Sequence, residues 1–530
     1  MCGKSFISAT LLIAVLAPLS LRSASAQVIP LTGRQLAAGS PHVVVAMVEG
    51  ARSRWTAERT LIVTEYRLRI EDRLKGDAPE RLILTIPGGT VGRETHGTSV
   101  STPLAIGARY LLFLGDPERP TFTPITGGWQ GMFRETAGLG GKREFEDLAR
   151  AARDLIAAVE ESPEPADTAW LVWSEEPDLP AKAYQRSTLS VSTSATAAPA
   201  RSGEAKFVVR NAALAPIVFN TLLPGTRFSS QDQKQMAYWN LYAGDLFRIS
   251  PNPSPDWAFG NGVFDIAGFP SSEQMQQQFD LTWGSGAYAL TAWRLQDDHI
   301  IEADLAFNPA FEWTVADELA TRLGGPLSFK DTLLSALGKA WGYRGPIDLF
   351  GGGLDPSPVT RDSIMNLKAA PYDLATLYAE DAAAARATYG GPPLRDGVIS
   401  SYGISPSPFT PFYEPVRPSV ATAAAGQSLV LLKGIKIENT GTVDLTKLTV
   451  EVYLVPRRFS LDGAILLRKV RIGGTIPPGE VRNLSLGRIK LPSSVPAGTY
   501  YFAFVLRDPK DAHQANNRAW SNDDVKVAVR

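Results

Sequence analysis

Asp331-Thr332-Leu333-Leu334-Ser335-Ala336-Leu337-Gly338-Lys339-Ala340-Trp341-Gly342-Tyr343-Arg344-Gly345 decides how the centre of this chain is read. Leu333, Leu334, Leu337 and Trp341 recur at helical spacing and form one apolar stripe. Small residues fill the turns between them, and Gly342 stands where a glycine ends a helix. The pattern predicts a buried helix at the heart of a domain. Ser335 and Lys339, four residues apart, share one of its faces.

Around this helix the chain has 530 residues, room for about three domains. Its apolar fraction of 44% suits a globular protein with ample core-forming residues. The formal net charge of -1 leaves no bulk field to recruit nucleic acid or an anionic membrane.

The first residues read as a secretory signal. Lys4 supplies the positive end, Phe6 to Leu21 is an apolar run, and Ala24-Ser25-Ala26 is an A-x-A cleavage site. The expectation is a signal peptide over 1–26 and a mature chain from Gln27, secreted or periplasmic. A rival reading is an uncleaved anchor, but the run falls short of the ~20 residues a span needs. No later segment is apolar enough to cross a bilayer. Cys2, the only cysteine, leaves with the signal. The mature chain then has neither disulfides nor thiolate ligands, which suits domains large enough to hold without staples.

From 27 to 140 the pattern predicts an all-β domain, a small barrel or sandwich. Buried or alternating strands are expected around His42–Val48, Tyr66–Ile70, Arg81–Ile86 and Tyr110–Leu114. Gly127-Gly128-Trp129-Gln130-Gly131 reads as a turn. Over 141–202 a helix is expected from about Arg143 to Val159, then a linker rich in Ser, Thr and Ala over Ser187–Ser202. The middle domain runs over 203–393. A helix capped by Ser229 is expected there, with strands at Leu281–Leu290 and Ile300–Phe307 and a final helix from about Leu374 to Tyr389. A linker over 394–418 leads to an all-strand tail over 419–530. The alternation in Val450–Leu454, the turn at Pro477–Glu480 and the strand Thr499–Val505 predict an immunoglobulin-like β-sandwich.

The middle domain resembles the matrixin-type metalloproteases of the metzincin group, an α+β fold. Trp239-Asn240 resembles the end of their first helix. Ile301–Asn308 looks like the strand bordering their cleft. The Asp331–Gly345 helix keeps the spacing of H-E-x-x-H-x-x-G-x-x-H, and Ser363-Ile364-Met365-Asn366 looks like their Met-turn. The resemblance implies zinc ligands in the slots at Ser335, Lys339 and Gly345 and a general base at Ala336. None of these residues can serve. Zinc takes a neutral imidazole or an anionic ligand at about 2 Å, and the whole chain holds only His42, His96, His299 and His513. No zinc cofactor is therefore expected. Met365 would be an adaptable core residue.

Two sharper readings stay open beside this one. Lys339 could serve Ser335 as the base of a serine–lysine hydrolase; the bland alternative is a lysine filling the vacated metal space. Asp297, Asp298, Glu302 and Asp304 could hold a structural calcium, or simply form a solvated strand entry. The tail resembles the CARDB modules of bacterial surface proteins, through Asn439-Thr440-Gly441, Tyr453-Leu454, Ala497-Gly498-Thr499-Tyr500 and Asn516-Asn517. The functional expectation is a secreted pseudo-metallopeptidase that holds an extended peptide or protein, with Leu305–Asn308 as the candidate ledge. The alternatives are an active secreted hydrolase of altered chemistry, using Ser335 and Lys339 or a displaced metal, and a purely structural surface module.

Overall fold

The computed structural model describes residues 28–161 and 208–528, apart from 136–138, 210–215, 317–325, 344–362, 366–375, 406–411, 522–524 and isolated single or paired positions. The expected signal peptide, the linker 187–202, Asp298, Gly345 and Asn366 lie outside the described residues. The fold is β-rich, 41% strand against 20% helix, and is divided among several sheets.

The front sheet contains β1 (His42–Trp55), β2 (Ile62–Lys75) and β3 (Arg81–Pro87). The chain then leaves it for β4 (Gly89–Val91) and β5 (Glu94–Thr98), and returns as β6 (Arg109–Leu114) and β7 (Met132–Arg134). The order is β3-β2-β1-β6-β7, antiparallel throughout. Alternation sends Val44, Ala46, Leu68, Leu82 and Leu84 into one core. The opposite face, with Val43, Val45 and Phe113, is covered by α1 (Gly33–Gly39) and α2 (Leu139–Glu161). Phe145, Leu148 and Leu155 of α2 are buried, as its periodicity predicts. The chain can leave β3 because Gly89 has φ +140 and its missing Cβ would fall 2.4 Å from Thr64 Oγ1.

The middle strands are β8 (Val208–Val209), β9 (Ile217–Thr221), β10 (Phe247–Ile249), β11 (Phe264–Gly268), β12 (Ala289–Gln296) and β13 (His299–Phe307). They run in the order β10-β9-β11-β13-β12, parallel except for β12, and β8 pairs with the start of β13. The helices are α3 (Gln231–Ala243), α4 (Ser272–Phe279), α5 (Phe329–Ala340) and α6 (Ala379–Tyr389). Trp239, Leu333, Leu337, Trp341, Leu305 and Phe307 share one core on the α5 side.

The sheet does not stop at β12. Its outer side pairs with β5, from Ala292↔Thr98 to Gln296↔Glu94, and β5 pairs with β4. Leu61, Val63 and Phe122 of the front segment pack with Met275, Phe279 and Leu290 in a common core. Front and middle segments thus share a sheet and a core.

Several expectations are corrected. β13 lies between β11 and β12, so Leu305–Asn308 offers no free ledge; its two-sided burial is what an interior strand needs. The strand expected over Leu281–Leu290 begins only at Ala289. α3 continues past Trp239-Asn240 to Ala243, and Ser229 does not cap it; Ser230 precedes the helix at φ 69 with no side-chain cap bond. The final helix starts at Ala379, where Asp381 secures its first turn. Helices α1 and α4 went unforeseen.

In the tail, strands Thr449–Val455 and Gly498–Arg507 place Val450, Val452, Phe502 and Phe504 in a separate core. Gly397–Ser400, within the stretch read as a connection, is a strand paired with Ile435–Asn439. Among the described residues, no helix is long and apolar enough to cross a membrane.

Candidate functional site at the buried helix

Helix α5 is fixed at both ends. The Ser328 side chain accepts from the Asp331 amide, a standard N-cap. At the other end Tyr343 N donates to Gly338 O at 3.1 Å and Gly342 N to Lys339 O at 2.9 Å. That pair of bonds is a Schellman motif, and Gly342 takes the left-handed position at φ +94. The helix is anchored sideways by two indoles. Trp239 Nε1 donates to Leu334 O at 2.9 Å, and Trp293 Nε1 to Lys339 O at 2.8 Å.

Ser335 and Lys339 share the face expected of them. Lys339 Nζ donates to Ser335 Oγ at 2.8 Å, and the hydroxyl donates to Met365 Sδ at 3.7 Å. Lys339 is 1% exposed and Met365 2%. Ala336 is fully buried in the core, one position round the helix from Ser335. Gly338 lets the pieces close: a Cβ there would lie 2.9 Å from Trp239 Cζ2 and 3.1 Å from Met365 Sδ.

The Met365 turn is held by a carboxylate that the sequence reading missed. Asp381 accepts from Tyr343 OH (2.8 Å), Ser363 Oγ, Ile364 N (2.9 Å) and Tyr378 N (2.9 Å). Burial pushes it up to about 6 despite these donors. Burial also raises Tyr343 well above the ordinary phenol range, reinforced by Asp381. An aspartate at the third helical position was the available signal, since that place favours a carboxylate that bonds the capping backbone.

This arrangement is a donor chain, ammonium to hydroxyl to thioether. Zinc does not fit it: Lys339 brings a positive charge and three donors where a ligand needs a lone pair. To act as a nucleophile, Ser335 would have to pass its proton to a neutral Nζ, which lies 2.8 Å away.

The acidic candidates separate. Asp297 is exposed and accepts from Nε and Nη2 of Arg93, at 2.9 and 2.6 Å. Glu302 and Asp304 lie buried on the sheet face away from α5, as alternation predicts. Glu302 accepts from the amides of Gly260, Asn261 and Gly262 at 2.6–3.2 Å, with Arg294 Nη1 at 3.7 Å. Asp304 takes the Asp265 amide at 3.1 Å. Burial, then Glu302 and Asp265, drives the Asp304 carboxyl well above its usual range. Among the described residues, no three His, Cys, Asp or Glu side chains group as a metal site.

The histidines stand apart from α5. His299 is exposed and bonds Asp297 O through Nδ1 at 2.8 Å. His96 lies opposite Arg294 in the β5–β12 register, so it joins the middle sheet on the face away from α5. It is edge-on to Trp55 and Phe259, and burial lowers it to about 3. His513, from the tail, packs on Tyr238 of α3 at 4.2 Å.

No known family and no curated protein matches this chain. Solved structures similar to parts of it include Spo0M, the sporulation control protein of Bacillus subtilis, at 10% identity and TM-score 0.14. That match covers 26% of this chain and 49%, about half, of Spo0M. The C-terminal domain of wzt matches at 14% identity and TM-score 0.14, over 26% of this chain and 71% of that domain. At such scores neither likeness carries a functional argument.

Proposed function

We propose that this chain is an exported binding protein built on a matrixin-like frame that has lost hydrolysis. The observation that carries the reading is the Lys339–Ser335–Met365 chain of contacts, made by residues in two slots where the resemblance implies zinc ligands and by the methionine it implies for the Met-turn. The order of the middle strands, with one antiparallel strand beyond four parallel ones, supports a cleft-bearing frame, as does Met365 seated against α5. The tail, read as a CARDB-like sandwich, would serve as a spacer or weak binder, and the leader 1–26 would send the protein to the periplasm or outside the cell. The partner class is an extended peptide or a protein. Pull-down of a peptide library on the immobilised mature protein tests this; no enrichment over the bare matrix counts against it.

The 2.8 Å Ser335–Lys339 contact also favours a second reading, a serine–lysine hydrolase. On that reading Ser335→Ala and Lys339→Ala each abolish hydrolysis of ester or peptide substrates. Activity retained in both variants ends it.

A further inference from the structure

With β13 interior and β12 covered by β5, a peptide that adds as a strand needs another edge. β3 provides one. Its only strand partner among the described residues is β2. The ladder identifies which backbone groups β2 leaves unused. Gly88 N donates to Ile62 O, and Ile70 N donates to Glu80 O. Those are bonded pairs at both ends of the β2–β3 register, which is unbroken from Val63↔Pro87 to Arg69↔Arg81. Bonded and non-bonded pairs alternate along an antiparallel ladder. Leu82, Leu84 and Ile86 therefore spend their amide and carbonyl groups on β2. Arg81, Ile83 and Thr85 direct theirs outward. Pro87 sits at an outward position, where a missing N–H costs the ladder nothing.

The side chains point the same way. Ile83 is 57% exposed in the middle of this edge. Edge strands are ordinarily blunted there by a charge, a proline or a bulge. Arg67 lies directly across from Ile83, and Arg81 two residues along on the same face. The nearby carboxylates are already engaged: Glu65 by Arg54, and Glu71 by Arg69 and Arg109. Among the described residues, no ion pair engages Arg67 or Arg81.

We propose that the outer edge of β3 docks an extended acidic peptide, which adds antiparallel as the next strand. Main-chain bonds to Arg81, Ile83 and Thr85 supply affinity. On the outward face an apolar residue covers Ile83 and acidic neighbours meet Arg67 and Arg81. On the inward face apolar residues extend the row made by Leu82, Leu84 and Ile86. This deepens the binding reading above and rests on it.

The test uses the mature protein and a fluorescein-labelled octapeptide, Val-Glu-Val-Val-Val-Glu-Val-Glu, which carries valine on one face and a valine flanked by glutamates on the other, followed by anisotropy. Ile83→Asp puts a like charge at an exposed position; Ile83→Pro removes one outward donor. Each should weaken binding at least about tenfold with the melting temperature unchanged. Leu466→Asp, at an exposed position on the edge strand Ile465–Arg471, should leave binding as it was. A valine and lysine peptide should bind more weakly than the glutamate one. If the octapeptide binds wild type and Ile83→Asp alike, the β3 site is wrong while the binding reading stands. The site also falls if wild type ignores the octapeptide yet enriches other peptides from the library, or if β3 proves to pair two copies of the chain in sedimentation.

Discussion

Gly338 shows how tightly the candidate site is closed. A methyl group there would gain up to about 1 kcal/mol of helix propensity. It would also sit 2.9 Å from a Trp239 ring that cannot retreat, because its indole nitrogen is bonded to Leu334 O. Overpacking of this kind costs about 1–3 kcal/mol. Gly338→Ala should therefore lower the urea midpoint of the middle domain; a raised midpoint would mean that Trp239 and Met365 are not seated against α5. Ser335→Ala removes one hydrogen bond made by the buried Lys339 amine, and should cost about 0.5–1.5 kcal/mol by the same measurement. At this scale the sequence was partly legible. The shared face of Ser335 and Lys339 follows from helical spacing, and their contact is what that spacing allows. The role of Asp381 was not legible, because its partners Tyr343 and Ser363 come from distant turns.

Among the elements, the segment around α6 depends on that one carboxylate. Asp381→Ala would leave Tyr343 OH, Ser363 Oγ and the Ile364 and Tyr378 amides short of an acceptor. Each buried donor left unsatisfied costs about 1–3 kcal/mol, so the loss should exceed that of Ser335→Ala. Equal urea midpoints for the two variants would contradict this. Strands with strong apolar patterning were readable in advance: Val43–Val48 within β1, Arg81–Ile86 within β3, and Val450–Leu454 in the tail. β5 was not attributable from its pattern. Glu94-Thr95-His96-Gly97-Thr98 carries no apolar run, and its place beside β12 is set by backbone pairing and by His96 entering an aromatic pocket. β13 was legible as a strand, and its run of residues buried on both faces argues for the interior rather than an edge.

At the scale of the whole molecule, the middle and tail segments meet around buried acids. Asp396 accepts from Tyr242 OH of α3 and from Thr440 and Asn516 of the tail. Asp511 accepts from the Gly397 and His513 amides. Burial, then the charge of Asp396, lifts Asp511 to about 7. His513 is lowered by burial. A carboxyl raised in the folded state binds its proton more tightly there than in the unfolded chain. Its contribution is complete below about pH 4 and is lost as pH rises through about 7. Asp381, raised to about 6, acts in the same direction. Glu451, held at about 2 although burial opposes it, by bonds from Lys469, Tyr453 and Arg507, loses its contribution only in more acidic solution. His96, lowered to about 3, and His513 act in the opposite direction, losing stability as pH falls below about 6.5. The Asp511 contribution is therefore read by difference: Asp511→Asn should raise the onset of thermal unfolding relative to wild type more at pH 8 than at pH 5, and an equal shift at both would contradict the assignment. On the proposed reading a lysine–serine contact stands in for a metal centre, so the purified mature protein, loaded with zinc and desalted, should carry no stoichiometric zinc in wild type or in Lys339→Ala. One tightly held zinc per chain in wild type, with chelator-sensitive cleavage of polypeptide, would overturn that reading.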